Sequence, residues 1–365
     1  MKNEHKKLPL LLVLAGTIIL TIIITFVVMG LDLSEKHKVG LIITGSTHDD
    51  GWNGMHYTGV EAACIKLDTK LLVKENISEG TGDCAKAVKE LVEQGAEMII
   101  LSSYGYPEEV KEVIDEYPEI AFYGISAEYY AENMTSFFGR MYQARYLTGI
   151  IAGMETKTNE IGYVVAMKNS EINRGINAFT LGVRSVNPEA TVNVIETGVW
   201  EDEEKETAAA EKLIDGKNVD IITYHQNRDY ISRFADEKGI SSIGYHEASQ
   251  GLSEKHLTSA VWNWESLYYE IIREFVQGDP NCVQRHWFGM GTGVVGLSEI
   301  SPAVSEDTLH EVEAAKSRIY AGMEIFSGEI YDNEGNLRCG EDEAISDIVL
   351  LSKLDWYVEG VEICE

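Results

Sequence analysis

Short β-branched apolar runs alternate with amphipathic helical stretches along most of this chain, and the alternation restarts halfway. Few folds tolerate that rhythm. Strands that alternate with helices pair in parallel and are covered by the helices on both faces. Lys38-Val-Gly-Leu-Ile-Ile-Thr44 reads as a first strand, followed by a polar loop and a helix from about Trp52 to Leu67. Lys70–Lys74, Met98–Leu101 and Ala121–Ile125 read as further strands. Asp83–Gln94 is amphipathic, with Ala87, Val88, Leu91 and Val92 on one face and Gly95 as its C-terminal stop, and Pro107–Glu116 is a further helix. After a helical stretch at Met141–Met154 the pattern begins again. Ile161–Val165, Thr191–Ile195, Val219–Tyr224 and Ser242–Tyr245 are strands, separated by helices at Ile172–Val186, Glu203–Ile214 and Asp229–Glu237.

The class is therefore α/β, with two parallel sheets in two similar lobes. The restart near 140–160 marks the first crossing between them, and no long flexible linker intervenes. In such folds the loops at the carboxyl ends of the strands face a cleft. Here those loops are rich in rings, amides and carboxylates: Gly45-Ser-Thr-His-Asp-Asp-Gly-Trp-Asn53, Ser102-Ser-Tyr-Gly-Tyr-Pro107, Met167–Gly175, His225-Gln-Asn-Arg228, Gly244-Tyr-His-Glu247 and Val261-Trp-Asn-Trp264. Rings that stack and amides that read edges suit a planar, hydrogen-bonding ligand. Hinge closure around a small molecule is the motion this architecture permits.

Charge is distributed in three parts. Residues 1–7 carry Lys2, Lys6 and Lys7, and Leu8–Met29 is 22 residues without a charge. At 1.5 Å per residue that run spans about 33 Å, enough for a hydrocarbon core of ~30 Å. From Gly30 onward 27 Lys+Arg face 59 Asp+Glu. Basic residues before the span place the tip 1–7 in the cytoplasm, a signal-anchor over 8–30 in the membrane, and the acidic body outside. A signal peptide cleaved near Gly30 is the competing reading, although the apolar run is long for one and lacks a clear small-x-small site. So acidic a body excludes nucleic acid and anionic lipid surfaces as partners of its general field, because both require cationic neutralisation.

Five cysteines, at 64, 84, 282, 339 and 364, show no metal spacing. A Cys64–Cys84 disulfide is the favoured pair, since those helix ends can approach in a β-α-β-α layer, with free buried thiols as the alternative. No motif calls for a metal or cofactor. Asp49-Asp50 lacks the nucleophile elbow, Walker loop or metal motif that would mark an enzyme.

Several blocks in order resemble the basic membrane protein (BMP) family of ABC transporter substrate-binding proteins, over about 38–363. Asp49-Asp-Gly-Trp-Asn53 is similar to that family's signature loop. Arg174-Gly-Ile-Asn-Ala-Phe-Thr-Leu-Gly-Val-Arg-Ser-Val-Asn-Pro188, Val261-Trp-Asn-Trp264 and Asp355-Trp-Tyr-Val-Glu-Gly360 match further blocks of its Trp-containing branch. The resemblance implies a type I periplasmic-binding-protein fold. Its N-lobe would comprise 38–138 plus about 262–285, and its C-lobe 139–261 plus about 286–365. It implies a purine base or nucleoside as ligand and a permease as partner. Carried over by position, Trp52 and Phe179 would sandwich the base. Asp49, Asn53, Tyr104 and Asn227 would line the site, and Tyr245 and Trp262 would border its far side. The family's ribose-binding acidic loop and Lys have no counterpart here, which favours a free base such as adenine. A sensory ectodomain working through a membrane partner is the alternative reading, and an extracellular nucleoside hydrolase a more distant one.

Overall fold

Apolar residues dominate the strands, and the order in which those strands pair decides where every loop ends. The structure, a computed structural model, describes residues 36–49, 51–127, 131–246, 248–280 and 283–364. The first half runs β1 (Lys38–Ile42), α1 (Trp52–Lys66), β2 (Lys70–Lys74), α2 (Asp83–Glu93), β3 (Met98–Leu101), α3 (Tyr106–Glu109), α4 (Lys111–Ile114), β4 (Ala121–Ile125) and β5 (Met134–Gly139). The single helix expected over Pro107–Glu116 is two short helical segments, α3 and α4, broken where Val110 leaves helical backbone at φ −97° and ψ 4°. The second half runs α5 (Met141–Glu155), β6 (Glu160–Val165), α6 (Ser170–Val186), β7 (Thr191–Glu196), α7 (Glu203–Lys217), β8 (Ile221–His225), α8 (Tyr230–Lys238), β9 (Ser241–His246) and β10 (His256–Trp262). Then follow α9 (Trp264–Val276), β11 (Arg285–Phe288), β12 (Val295–Leu297), α10 (Glu306–Tyr320), β13 (Ile330–Tyr331), β14 (Leu337–Cys339), α11 (Asp347–Ser352) and β15 (Val361–Ile363).

Of the two large sheets, one has the order β11-β5-β4-β3-β1-β2 and the other β12-β10-β9-β8-β6-β7-β15, while β13 and β14 pair as a small separate sheet. The first is parallel throughout. In the second, β12 lies antiparallel to β10. The chain therefore passes between the sheets around Arg140, around Asn263, and between Phe288 and Val295. Lys38–Glu365 nevertheless form one compact unit.

From β1 the chain steps outward to β2, then back across β1 to β3. Right-handed crossovers in opposite directions place α1 and α2 on opposite faces of the sheet. Cys64 packs in the core with Val39 and Leu41. Cys84 packs in a separate cluster with Ile42, Val88 and Leu91. Cys64 and Cys84 are accordingly free thiols, and the disulfide expected between them does not form. A β-sheet separates the two cysteines, which a reading of helix ends along the sequence did not take into account. Burial pushes both thiols above their usual titration range.

Helices α5 and α6 pack at glycine contacts. A Cβ at Gly149 would sit 2.0 Å from the Phe179 carbonyl oxygen, and one at Gly182 2.1 Å from that of Tyr146. Amides of α6 then hold the C-terminal segment: Asn173 Nδ2 donates to Leu354 O at 2.8 Å, Asn177 Nδ2 to Trp356 O at 3.0 Å, and Val358 N to Asn177 Oδ1 at 3.0 Å. That latch delivers β15 to the edge of the second sheet beside β7.

The uncharged run at Leu8–Met29, with the tip before it, lies outside the described residues, as do Asp50, Glu247 and Cys282. Among the described residues no helix is long and apolar enough to cross a membrane.

Candidate functional site

Both sheets reverse direction at a switch point, β1/β3 in one and β6/β8 in the other, and ligands of open α/β sheets bind outside the strand ends at such points. At the first, the Asp49 carboxylate closes the loop onto the start of α1. Its Oδ1 accepts from Gly51 N at 3.0 Å and Gly54 N at 2.8 Å, and its Oδ2 accepts from Asn53 Nδ2 at 2.7 Å. A carboxylate is well placed there, where backbone N–H groups of the first turn point outward. Gly54 has to be glycine, since a Cβ would lie 1.9 Å from the Asp49 carbonyl oxygen. Asn53 Oδ1 in turn accepts from Thr44 Oγ1 at 2.9 Å and Gly45 N at 3.0 Å. Asp49 and Asn53 thus direct these atoms into the loop, and what they hold is Trp52.

Trp52 donates its indole N–H to Ser102 O, just past β3, at 2.9 Å. Its face lies against the His246 imidazole, 5.8 Å between centroids and 16° from parallel. His246 ends β9, so this pair joins the two lobes. Edge contacts run from Trp52 to His56 at 4.2 Å and to Trp264 at 5.3 Å. Trp264 stacks on Trp262 at 4.5 Å and 14°. His56 Nδ1 shares a hydrogen bond of 2.5 Å with the Tyr268 hydroxyl. On the other lobe, His225 lies 4.2 Å from Tyr245, and the Arg145 guanidinium sits 4.2 Å over the Tyr245 ring and 5.3 Å from that of Tyr163. His246 occupies left-handed backbone at φ 79°, a conformation few non-glycine residues adopt, and sites often store such strain.

Burial sets the electrostatics. It holds His56 and His225 well below the usual imidazole range, with the Arg145 and Arg174 charges adding to it at His225. Burial brings His246 down to about 4, against an opposing pull from Asp49. All three are neutral at pH 7 and can each donate and accept. Glu171, 3.8 Å from His225, is pushed up by burial and eased back by Arg174 and Arg145. Burial also raises Tyr163, Tyr245 and Tyr268.

Among the described residues, seven buried side-chain atoms along this seam have no hydrogen-bond partner: His56 Nε2, Arg145 Nε, Tyr163 OH, His225 Nδ1, His246 Nε2, Trp262 Nε1 and Trp264 Nε1. The Trp262 N–H is directed at the Tyr245 hydroxyl without closing a bond. Buried polar groups are nearly always paired, so this concentration in one place marks a candidate ligand site. A surface cavity of about 440 Å³ lies elsewhere, beside Lys66, Glu265, Tyr269 and Thr292, and none of these unpaired atoms lines it.

Of the residues expected from the sequence, Trp52, Tyr245 and Trp262 meet in the seam. Asn227 reaches it from the second lobe: a Cβ at Gly51 would lie 3.4 Å from its Nδ2, which donates to Glu201 Oε2 at 2.9 Å. Tyr104 stands exposed on the β3–α3 loop, two residues past the carbonyl that receives Trp52. Phe179 is fully buried, edge-on to Tyr163 at 5.4 Å, on the helix pressed against α5. Its block matters for the α5 contact and the C-terminal latch. A ring that the second lobe offers to solvent near His225 is Trp200, 42% exposed and 6.1 Å from it. Sequence reasoning did not single out Trp200, His56, Arg145, Tyr163, Glu171, His225, His246 or Trp264 as individual residues. His225, His246 and Trp264 were within loops already noted, and Trp200 follows β7. Arg145 and Tyr163, in a helix and a strand, gave no signal.

Comparison with known proteins bears on family and fold. A family model described as Bmp, ABC transporter substrate-binding protein PnrA-like, matches residues 36–332. The chain is 32% identical over 336 residues to a purine-binding protein of Brucella abortus (strain 2308), covering 90% of this chain and 93% of that one. It is 31% identical over 316 residues to a putative ABC transporter glucose-binding protein of Haloferax volcanii, covering 86% and 77%. Its fold is similar to a transcriptional activator of the comK gene from Bacillus halodurans, with TM-score 0.71, 22% identity and coverage of 79% and 99%. It is also similar to an ABC transporter solute-binding protein from Conexibacter woesei, with TM-score 0.64, 19% identity and coverage of 78% and 97%. With a family match over most of its length and a relative above 30% identity along nearly all of it, the chain belongs to the Bmp family of PnrA-like ABC transporter substrate-binding proteins.

Proposed function

We propose that this solute-binding protein captures a purine between its two lobes and delivers it to an ABC permease. The observation that carries the reading is the ring-lined seam with seven unpaired buried polar atoms. Planar bases need faces to stack on and groups to read their edges, and the seam holds both. Trp52 and His246 lie 5.8 Å apart and nearly parallel. A ring inserted between two others needs about 7 Å, twice a 3.5 Å contact. Entry therefore asks for a small opening about the short crossings near Arg140, Asn263 and Phe288–Val295. A ligand with higher affinity for one degree of closure shifts that population. The purine-binding name of the Brucella relative supports the same class.

In this reading Leu8–Met29 is an uncleaved signal-anchor that tethers the body outside the cell near its permease. N-terminal sequencing of the mature protein checks it: a chain starting near Gly30 rejects the anchor.

A second reading is a sugar ligand, favoured by the glucose-binding name of the Haloferax relative. Titration calorimetry of the purified protein with adenine, hypoxanthine, guanosine, ribose and glucose separates the two. Binding of a purine supports the proposal; tight binding of glucose with no response to any purine rejects it.

A further inference from the structure

The unpaired atoms of the seam are not a balanced set. Arg145 Nε, Trp262 Nε1 and Trp264 Nε1 can only donate. Tyr163 OH, His56 Nε2, His225 Nδ1 and His246 Nε2 can donate or accept, and none of the seven is an acceptor only. Charge leans the same way. Arg145 is fully buried, and its hydrogen bonds go to the neutral Thr223 Oγ1 at 3.3 Å and Tyr224 O at 2.7 Å. Arg174, also buried, donates to Leu350 O. Glu171 is the carboxylate that feels both guanidiniums. Among the described residues, two buried guanidiniums share Glu171, which leaves this part of the seam rich in donors, and a buried cation without an anion of its own is costly unless something else meets it.

Resting on the purine reading, we propose that this donor excess makes the site selective for 6-oxopurines, hypoxanthine or xanthine, over adenine. The two classes have the same shape, so stacking on Trp52 does not distinguish them. They differ at the exocyclic position. An oxopurine presents a carbonyl acceptor there, and xanthine a second one. Adenine presents an amino group, which would face N–H donors and leave them unpaired. A site that loses a required hydrogen bond discriminates strongly, because the protein group stays buried without a partner. Arg145 and Trp262 are the specificity-determining residues. The guanidinium supplies N–H and charge, and the indole supplies an N–H that is turned toward the Tyr245 hydroxyl without closing a bond.

Calorimetric titration of the purified protein with hypoxanthine, xanthine and adenine tests this. The expected result is hypoxanthine and xanthine binding tighter than adenine by about tenfold or more. Adenine binding as tightly as hypoxanthine, or tighter, overturns the selectivity and leaves the purine reading standing. No response to any purine sinks both. Trp262→Phe keeps a ring and removes the N–H; hypoxanthine affinity should fall about fivefold to tenfold with adenine little changed. An equal loss for both bases would mean Trp262 only packs. Should that variant not fold, the wild-type series alone decides.

Discussion

Replacing Trp52 with Ala tests the seam most directly, because the indole serves two functions that can be separated. Its face is the stacking surface on the first lobe, and its N–H fixes the ring by donating to Ser102 O at 2.9 Å. Base–aromatic stacking is worth about 1–3 kcal/mol per base. Part of that is offset on entry, because a base must displace His246 from the same face, and aromatic pairs contribute about 0.5–1.5 kcal/mol. The net contribution to affinity is then about 1 kcal/mol, so Trp52→Ala should raise Kd roughly fivefold. Trp52→Phe retains a face and loses the N–H. It should bind within about twofold of wild type while losing about 1 kcal/mol of folding stability for the missing hydrogen bond. Calorimetry with the tightest purine gives the first quantity and urea unfolding the second. Wild-type affinity in a folded Ala variant would refute the stacking role. So would a Phe variant that loses as much affinity as Ala.

Acid should weaken the fold. His56, His225 and His246 are held neutral by burial but take up protons once the chain unfolds, so their contribution is whole above about pH 6.5 and drains as the pH falls, with His246 titrating at about 4 in the fold. Glu206, pushed up to about 7 by burial, works the other way. The thermal midpoint should still drop between pH 7 and pH 5, less steeply in His246→Gln and more steeply in Glu206→Gln; a flat or rising midpoint contradicts this. Gly149→Ala should cost about 1–3 kcal/mol by forcing a methyl against the Phe179 carbonyl, and an unchanged melting temperature would show that α5 and α6 can separate freely. Alkylation without reductant, followed by peptide mass spectrometry, should recover Cys64 and Cys84 separately; a linked peptide would disprove the opposite-face placement.

The strand and helix alternation was readable because each element buries its own periodic pattern: β3 and β4 are buried at every position, and α2 buries Cys84, Ala87, Val88 and Leu91 on one face. The ring-bearing loops were readable because strand ends in such sheets face a cleft. Their partners were not. His56 meets Tyr268 across 212 residues of chain, and Arg145 meets Tyr245 only because α5 packs in the second lobe. Phe179 illustrates the limit from the other side. Its helix was recognised, but which way the ring faces depends on glycines that bring α6 onto α5.

Local pattern by itself determined the α/β class, the restart that makes two lobes, the charge asymmetry and the loops where Trp52, Tyr245 and Trp262 sit. Period and charge are properties of neighbouring residues, so sequence contains them. Tertiary structure alone decided the separation of Cys64 from Cys84, the retirement of Phe179 into the core, the use of Asp49 and Asn53 as supports for Trp52, and the gathering of unpaired donors around Arg145. Each depends on strand order and on contacts between distant segments, which a sheet fixes only once its strands have chosen their neighbours.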